Sequence, residues 1–143
     1  NTVFQARLSP LTPADLDRLL ALATHARVVD PAAAFLIAMD QTAAYASANF
    51  AWLTARFDRF LYVDRVAVDA AAHGRGCGRA LYEDLAGLAR SAGYPRVVCE
   101  VDIDPPNPAS HAFHDRMGFT PVDDFANPNG KTVRFYRRDV QPL

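Results

Sequence analysis

Residues 60–92 read FLYVDRVAVDAAAHGRGCGRALYEDLAGLARSA, and this stretch decides the fold. An apolar run from Phe60 to Val68 ends at Asp69, and a small-residue turn leads into His73-Gly74-Arg75-Gly76-Cys77-Gly78-Arg79. Ala80, Leu81, Leu85, Leu88 and Ala89 then recur at helical spacing as far as Gly93. The order is strand, glycine loop, helix. A helix start leaves its first amides without intrahelical partners and carries the positive end of the helix dipole, so this junction suits an anion. Gly74, Gly76 and Gly78 allow unusual dihedrals and close approach of backbone to ligand. Arg75 and Arg79 add cations matched to phosphate. The reading is a pyrophosphate site; the plainer alternative is a tight strand-to-helix turn that binds nothing.

The spacing excludes two familiar phosphate loops. A nucleotide P-loop ends in Lys-Ser or Lys-Thr, and Arg79-Ala80 stands there instead. The dinucleotide fingerprint fails because Leu81 falls where a glycine is needed. A second pattern lies downstream: Asn107-x-x-Ser110-x-x-Phe113-His114-x-x-x-Gly118-Phe119. With Val66-Ala67-Val68 ahead of His73–Gly78, the two patterns together resemble the GNAT acyltransferase superfamily. Its acetyl-CoA-binding motif is written R/Q-x-x-G-x-G/A, and its later motif N-x-x-A/S-x-x-L/F-Y-x-x-x-G-F. His73 departs from the customary Arg or Gln, and His114 from the customary Tyr. The resemblance covers roughly residues 25–138.

The resemblance implies an α/β chain (α+β layered), with a GNAT-like mixed central sheet, two splayed parallel strands and flanking helices. It implies acetyl-CoA or CoA as cofactor, with His73, Gly74, Arg75, Gly76, Cys77, Gly78 and Arg79 around the diphosphate. Backbone groups of Val66, Ala67 and Val68 would pair with the pantetheine like an added strand. Asn107, Ser110 and Phe113 would also contact the cofactor, and Asn107 would cap its helix. Cys77 reads as the small hydrophobe between glycines rather than as a reactive thiol.

Composition sets the outer bounds. A chain of 143 residues is expected to be one domain, residues 1–143. No apolar run approaches the roughly 18 residues of a membrane span. The start, NTVFQARLSP, lacks the basic-then-apolar order of a signal peptide, and beginning with Asn suggests a start within a longer natural chain. A net charge of −1 gives no reason to expect nucleic acid or an anionic membrane as partner. Cys77 and Cys99 have neither metal-ligand spacing nor the number for a disulfide framework, so no metal site and a cytoplasmic setting are expected.

Outside the central stretch, Thr12-Pro13-Ala14-Asp15 starts a helix, with Thr12 as N-cap and Leu16, Leu19, Leu20 and Ala23 on one face. His25–Asp30 and Ala33–Met39 read as a hairpin. It begins early for this superfamily, so the family's first strand is a candidate for absence. The insertion from Asp40 to Arg59 is long for such a connection, and Ala48–Arg56 within it can form a helix. Beside a cleft it offers Tyr45, Ser47, Asn49 and Phe50 as acceptor contacts, with Tyr62 on the next strand, while Trp52 and Phe57 read as packing. Arg96–Val101, Phe119–Val122 and Thr132–Arg138 read as strands, with a helix from Asn107-Pro108 to Met117 and a turn at Asn127-Pro128-Asn129-Gly130.

Acetyl transfer to an amine requires a held thioester, a base, and stabilisation of the oxyanion and leaving thiolate. Strict alternation would put Tyr62, Asp64, Val66 and Val68 on one face of their strand, and Val63, Arg65 and Ala67 on the other. Asp64, a carboxylate in an apolar strand, is the first candidate base; alternatively it only pairs with Arg134 or Arg137. Glu100 and Asp102 are the other candidates. His114, in the position of the superfamily's tyrosine, is the candidate acid. The expected function is acetyl-CoA-dependent N-acetylation of a small-molecule amine by direct attack in a ternary complex. A non-catalytic CoA-binding homologue and a peptide acetyltransferase are the alternatives, and a homodimer through the last strands follows from superfamily habit.

Overall fold

A computed structural model describes residues 13–29, 34–69, 74 and 76–140. Helix α1 (Pro13–Leu22) precedes strands β1 (His25–Val29) and β2 (Ala34–Asp40). Helix α2 (Ala48–Thr54), strand β3 (Leu61–Val68) and helix α3 (Cys77–Ala92) follow. The chain continues with β4 (Arg96–Asp104), α4 (Pro108–Arg116), β5 (Thr120–Ala126) and β6 (Thr132–Asp139). The six strands form one mixed sheet in the order β1-β2-β3-β4-β6-β5. Every neighbouring pair is antiparallel except β3 and β4, which the α3 crossover makes parallel. The question of a first strand, and the Thr12 cap, fall outside the described residues.

Two features of β3 shape the molecule. It pairs with β4 only at Leu61↔Val97 and Tyr62↔Val98, although the strands are 8 and 9 residues long. Beyond Tyr62 the two strands part, while β2 continues to hold β3 as far as Val68 and β6 holds β4 as far as Asp104. The sheet therefore opens in its middle. The second feature is a bulge: Ile37 faces Arg65 and Ala38 faces Val63, so Asp64 is an extra residue.

The bulge overturns the strict alternation expected for this strand. Leu61 and Val63, then Val66 and Val68, all pack in the cluster that includes Leu81, Tyr82, Leu85 and Ala89 of α3. Tyr62 points into the opposite cluster, with Phe50 and Leu53 of α2 and Leu19 of α1. One added residue shifts the period-2 pattern by one, so Tyr62 and Val66 lie on different faces. This leaves Asp64 and Arg65 half-buried at the fork while apolar residues on both sides remain in the core.

Each face has its own core. On one, α3 presents Leu81, Tyr82, Leu85, Ala86 and Ala89 at helical spacing, and Gly93 at φ 83° ends the helix. On the other, Trp52 stacks on Phe135 at 4.1 Å between ring centroids, and Phe57 packs at the edge of that cluster. The packing roles expected of Trp52 and Phe57 therefore hold. Fully burying side chains of this size contributes about 1.5–3 kcal/mol each, enough to anchor the insertion without a ligand. No helix among the described residues is long and apolar enough to cross a membrane.

Candidate active site

The fork between β3 and β4 opens into two connected clefts. One is a slot of about 100 Å³ bounded by β3, β4, α3 and α4, whose walls include Val66, Tyr82, Asn107, Ser110 and His114. The other, of about 320 Å³, is bounded by the α2 insertion, the sheet and the β5–β6 turn. Asp64, Arg65, Glu100 and Asp102 line both, so the clefts meet at these four residues.

The slot side suits an extended, amide-bearing ligand. From Val63 onward the backbone edge of β3 that faces β4 has no strand partner. Asn107 starts α4 and is only 4% exposed, but its side chain makes no cap bond, contrary to the capping role expected from the sequence. Its Oδ1 is buried without a hydrogen-bond partner. A buried acceptor left unsatisfied costs about 1–3 kcal/mol, and an amide N–H entering the slot would recover that. At the open end, the first amides of α3 have no side-chain cap, and Gly76 lies in the left-handed region at φ 77° with open space around it. Gly78 is a glycine for a different reason. A Cβ there would come within 3.3 Å of the Phe113 ring, so its task is to let α3 pack against α4. Phe113 thus acts through packing, and Cys77 packs against the core as a small apolar residue. Arg79 is exposed at the helix start. His73 and Arg75 lie outside the described residues.

The wider cleft holds the carboxylates. Tyr62 donates to Glu100 Oε1 at 2.6 Å, bridging β3 and β4 where they part. Burial above all raises the Glu100 carboxyl to about 8; the Tyr62 hydrogen bond opposes this, and the charges of Asp64 and Asp102 add to it. Tyr45 donates to Asp64 Oδ1 at 2.6 Å, and Asp64 Oδ2 lies 3.4 Å from Arg65 Nε. Asp64 does have an arginine partner, but not Arg134 or Arg137 as the sequence suggested. Arg134 binds Asp124, and Arg137 lies 3.9 Å from Asp139.

The insertion supplies most of the expected acceptor wall. Tyr45, Ser47 and Asn49 line the cleft with Tyr62. The Ser47 hydroxyl also caps α2 by accepting from Phe50 N at 3.3 Å. Asn127 donates to Asn49 Oδ1 at 2.9 Å and ties the β5–β6 turn to α2 across the cleft. Phe50 is a correction: it is 4% exposed, packed between Phe60 and Tyr62, and supports the wall from behind. Sequence reasoning missed Arg65, Asn127, Asn129 and Lys131, which also line this cleft. Asn127-Pro128-Asn129-Gly130 announced only a turn, and nothing local told which cleft it would border.

His114 departs from its expected role as acid. Its Nδ1 lies 2.7 Å from the Ser110 carbonyl oxygen, which can only accept, so Nδ1 carries the ring proton. Nε2 then accepts from the Tyr82 hydroxyl at 2.8 Å. Burial lowers the ring's pKa to about 4, which keeps it neutral. In this state His114 has no proton to offer at Nε2. His111 is also engaged, with Tyr136 Oη at 2.6 Å and the Asp102 carbonyl at 3.0 Å. Among the described residues no group of His, Cys, Asp and Glu is arranged to hold a metal ion.

A sheet that forks between parallel strands, with a carboxylate at the fork and an uncapped helix start behind it, fits the acyl-transfer class that the two sequence motifs resemble. The chain belongs to the GNAT acetyltransferase family, whose sequence model matches residues 2–119. No curated protein matches it by sequence. Among solved structures it is similar to Ard1 from Thermoplasma volcanium, at 17% identity and TM-score 0.72, over 97% of this chain and 89% of that one. The polyamine N-acetyltransferase of Drosophila melanogaster is similar at 18% identity and TM-score 0.68, over 92% and 83%. The NatB acetyltransferase complex bound to CoA is similar at 12% identity and TM-score 0.68, over 94% and 86%. These likenesses concern the fold.

Proposed function

We propose that this protein transfers an acetyl group from acetyl-CoA to the amine of a small molecule, by direct attack within a ternary complex, with Glu100 as general base. The observation that carries the reading is the Glu100–Tyr62 pair at the fork, where slot and wider cleft meet. A base working near neutral pH is best tuned near that pH, and burial brings Glu100 to about 8. Asp64, held by Tyr45 and Arg65, is the better candidate for orienting the incoming amine.

The slot fits the cofactor on three counts: the unpaired backbone of β3, the orphan acceptor of Asn107, and the free amides at the start of α3. When bound, acetyl-CoA supplies an activated acetyl group as a thioester. Val66–Val68 would pair with its pantetheine arm, and the amides after Gly76 would hold its diphosphate. Glu100 draws the proton from the amine, and Tyr62 keeps its carboxylate aimed at the fork.

The acceptor class follows from the wider cleft. A volume of about 320 Å³ is that of a small-molecule site. The Asn49–Asn127 bond across it supports an enclosed acceptor over an extended peptide. Asp64 and Asp102 bring two carboxylates to this cleft and Arg65 and Lys131 two cations, Lys131 lying 3.9 Å from Asp102, so the lining charges balance and leave a neutral amine free to approach Glu100. Release of free thiol from acetyl-CoA with a panel of small amines, amino acids and short peptides tests the reading. Turnover with small amines is expected; turnover only with peptides would replace the acceptor class, and none at all would leave a CoA-binding protein without catalysis.

A further inference from the structure

One hydroxyl in the slot has no part in the scheme so far. Tyr82 lies on α3, among the leucines and alanines of its buried face. It is 2% exposed, yet it lines the slot beside Asn107, Ser110 and Glu100. Its ring stands edge-on to Phe113, His114 and Phe119, which leaves it little freedom to move. Its hydroxyl meets His114 Nε2 at 2.8 Å. Because the Nδ1 proton of His114 is committed to the Ser110 carbonyl, the shared proton of this pair belongs to Tyr82.

A departing thiolate needs a donor on the slot side, away from the base that takes the amine proton. We propose that the Tyr82 hydroxyl protonates the leaving sulfur, and that His114 is a positioning residue that holds this hydroxyl at the slot wall. The proposal rests on the acetyl-CoA reading of the slot given above. A neutral imidazole is a weaker acceptor than an anion, and hydrogen bonds to charged acceptors are roughly twice as strong. The O–H is therefore parked on Nε2 until negative charge develops on sulfur, and then turns about the C–O bond.

The step balances. The bond from the amine nitrogen to the acetyl carbon forms as the carbon–sulfur bond breaks. Glu100 keeps the proton from nitrogen, Tyr82 Oη gives its proton to sulfur, and the phenolate is reprotonated from water. Glu100 releases its proton to water, so each turnover returns the protein to its starting state. Burial, first of all, holds the Tyr82 hydroxyl well above the ordinary phenol value, so it stays protonated between turnovers.

The test follows bound CoA by the ultraviolet absorbance of its thiolate, titrated with pH, in the original protein and in three variants. In Tyr82→Phe the expected results are a kcat about 100-fold lower, a CoA Kd within about threefold, and a bound-thiol pKa higher by about one to two units. Tyr82→Phe leaves Nε2 without its donor, so the double variant Tyr82→Phe/His114→Phe, apolar at both positions, guards against a folding artefact. It is expected to reproduce the same thiol shift. His114→Phe alone should give a smaller shift and a smaller loss of kcat, since the hydroxyl remains, held only by its contact with Cys99. An unchanged thiol titration in both Tyr82 variants overturns the proposal, as does a full effect from His114→Phe with none from Tyr82→Phe. Absence of CoA binding by the original protein would instead remove the acetyl-CoA reading itself.

Discussion

Glu100→Gln is the substitution that asks most of this account. It keeps the size of the side chain and an oxygen for Tyr62 to bond, but removes the group that takes the proton. With a carboxyl at about 8, about one-tenth of the protein carries an ionised Glu100 at pH 7. The rate with acetyl-CoA should therefore rise nearly tenfold per unit from pH 6 to about 7, pass half its maximum near pH 8 and level off above about 9. A positioned base contributes about 10²–10⁴-fold, or roughly 3–5 kcal/mol of barrier, so Gln at this position should lower kcat at pH 8 by at least about 100-fold. The assay is thiol release over pH 6–9.5, with an acceptor amine of pKa below about 5 so that its own titration does not imitate the limb. CoA affinity should change little. Stability gives a second reading with a definite sign. A carboxyl whose folded value lies above its ordinary 4.5 binds its proton more tightly when folded, so stability is lost as pH rises from about 4.5 to 8. The melting temperature should fall over that window in the original protein and fall less in Glu100→Gln. If the variant keeps more than about a third of the activity and the same pH limb, Glu100 is not the base.

Three further outcomes follow from the site. Gly76→Val places a β-branched residue at φ 77°, a strain of about 1–3 kcal/mol. Circular dichroism should show a folded protein while calorimetry shows loss of CoA binding. Asn107→Leu removes the orphan acceptor, so thermal stability should hold or rise while CoA binding weakens about tenfold, the worth of one hydrogen bond. Asp64→Asn keeps a partner for Tyr45 but removes the charge beside Arg65. Steady-state kinetics should show a higher KM for the amine with a smaller change in kcat, and an abolished kcat would shift the base role to Asp64.

The elements themselves were legible because apolar periodicity and turn residues marked them locally. The β3–α3–β4 crossover and the final hairpin follow from residues adjacent in the chain. The site was legible in part. A long polar and aromatic insertion pointed to Tyr45, Ser47 and Asn49, and these do line the wider cleft, joined by Tyr62 of β3. What stayed hidden depends on register and on contacts between distant elements. The bulge at Asp64 has no marker in LYVDRVAV, so strict alternation put Tyr62 and Val66 on the same face. Glu100 stood behind Asp64 as a candidate because only the fold brings Tyr62, on another strand, to its carboxylate. Tyr82 was invisible for the opposite reason: its helical spacing is that of core, and its hydroxyl gains meaning only through His114, 32 positions away.

The claim beneath all of this is that the fork between β3 and β4, with the start of α3, holds CoA. Isothermal titration of CoA into the folded protein tests it most directly. Saturable heat with one CoA per chain is the predicted result, and a well-folded sample that takes up none contradicts the account.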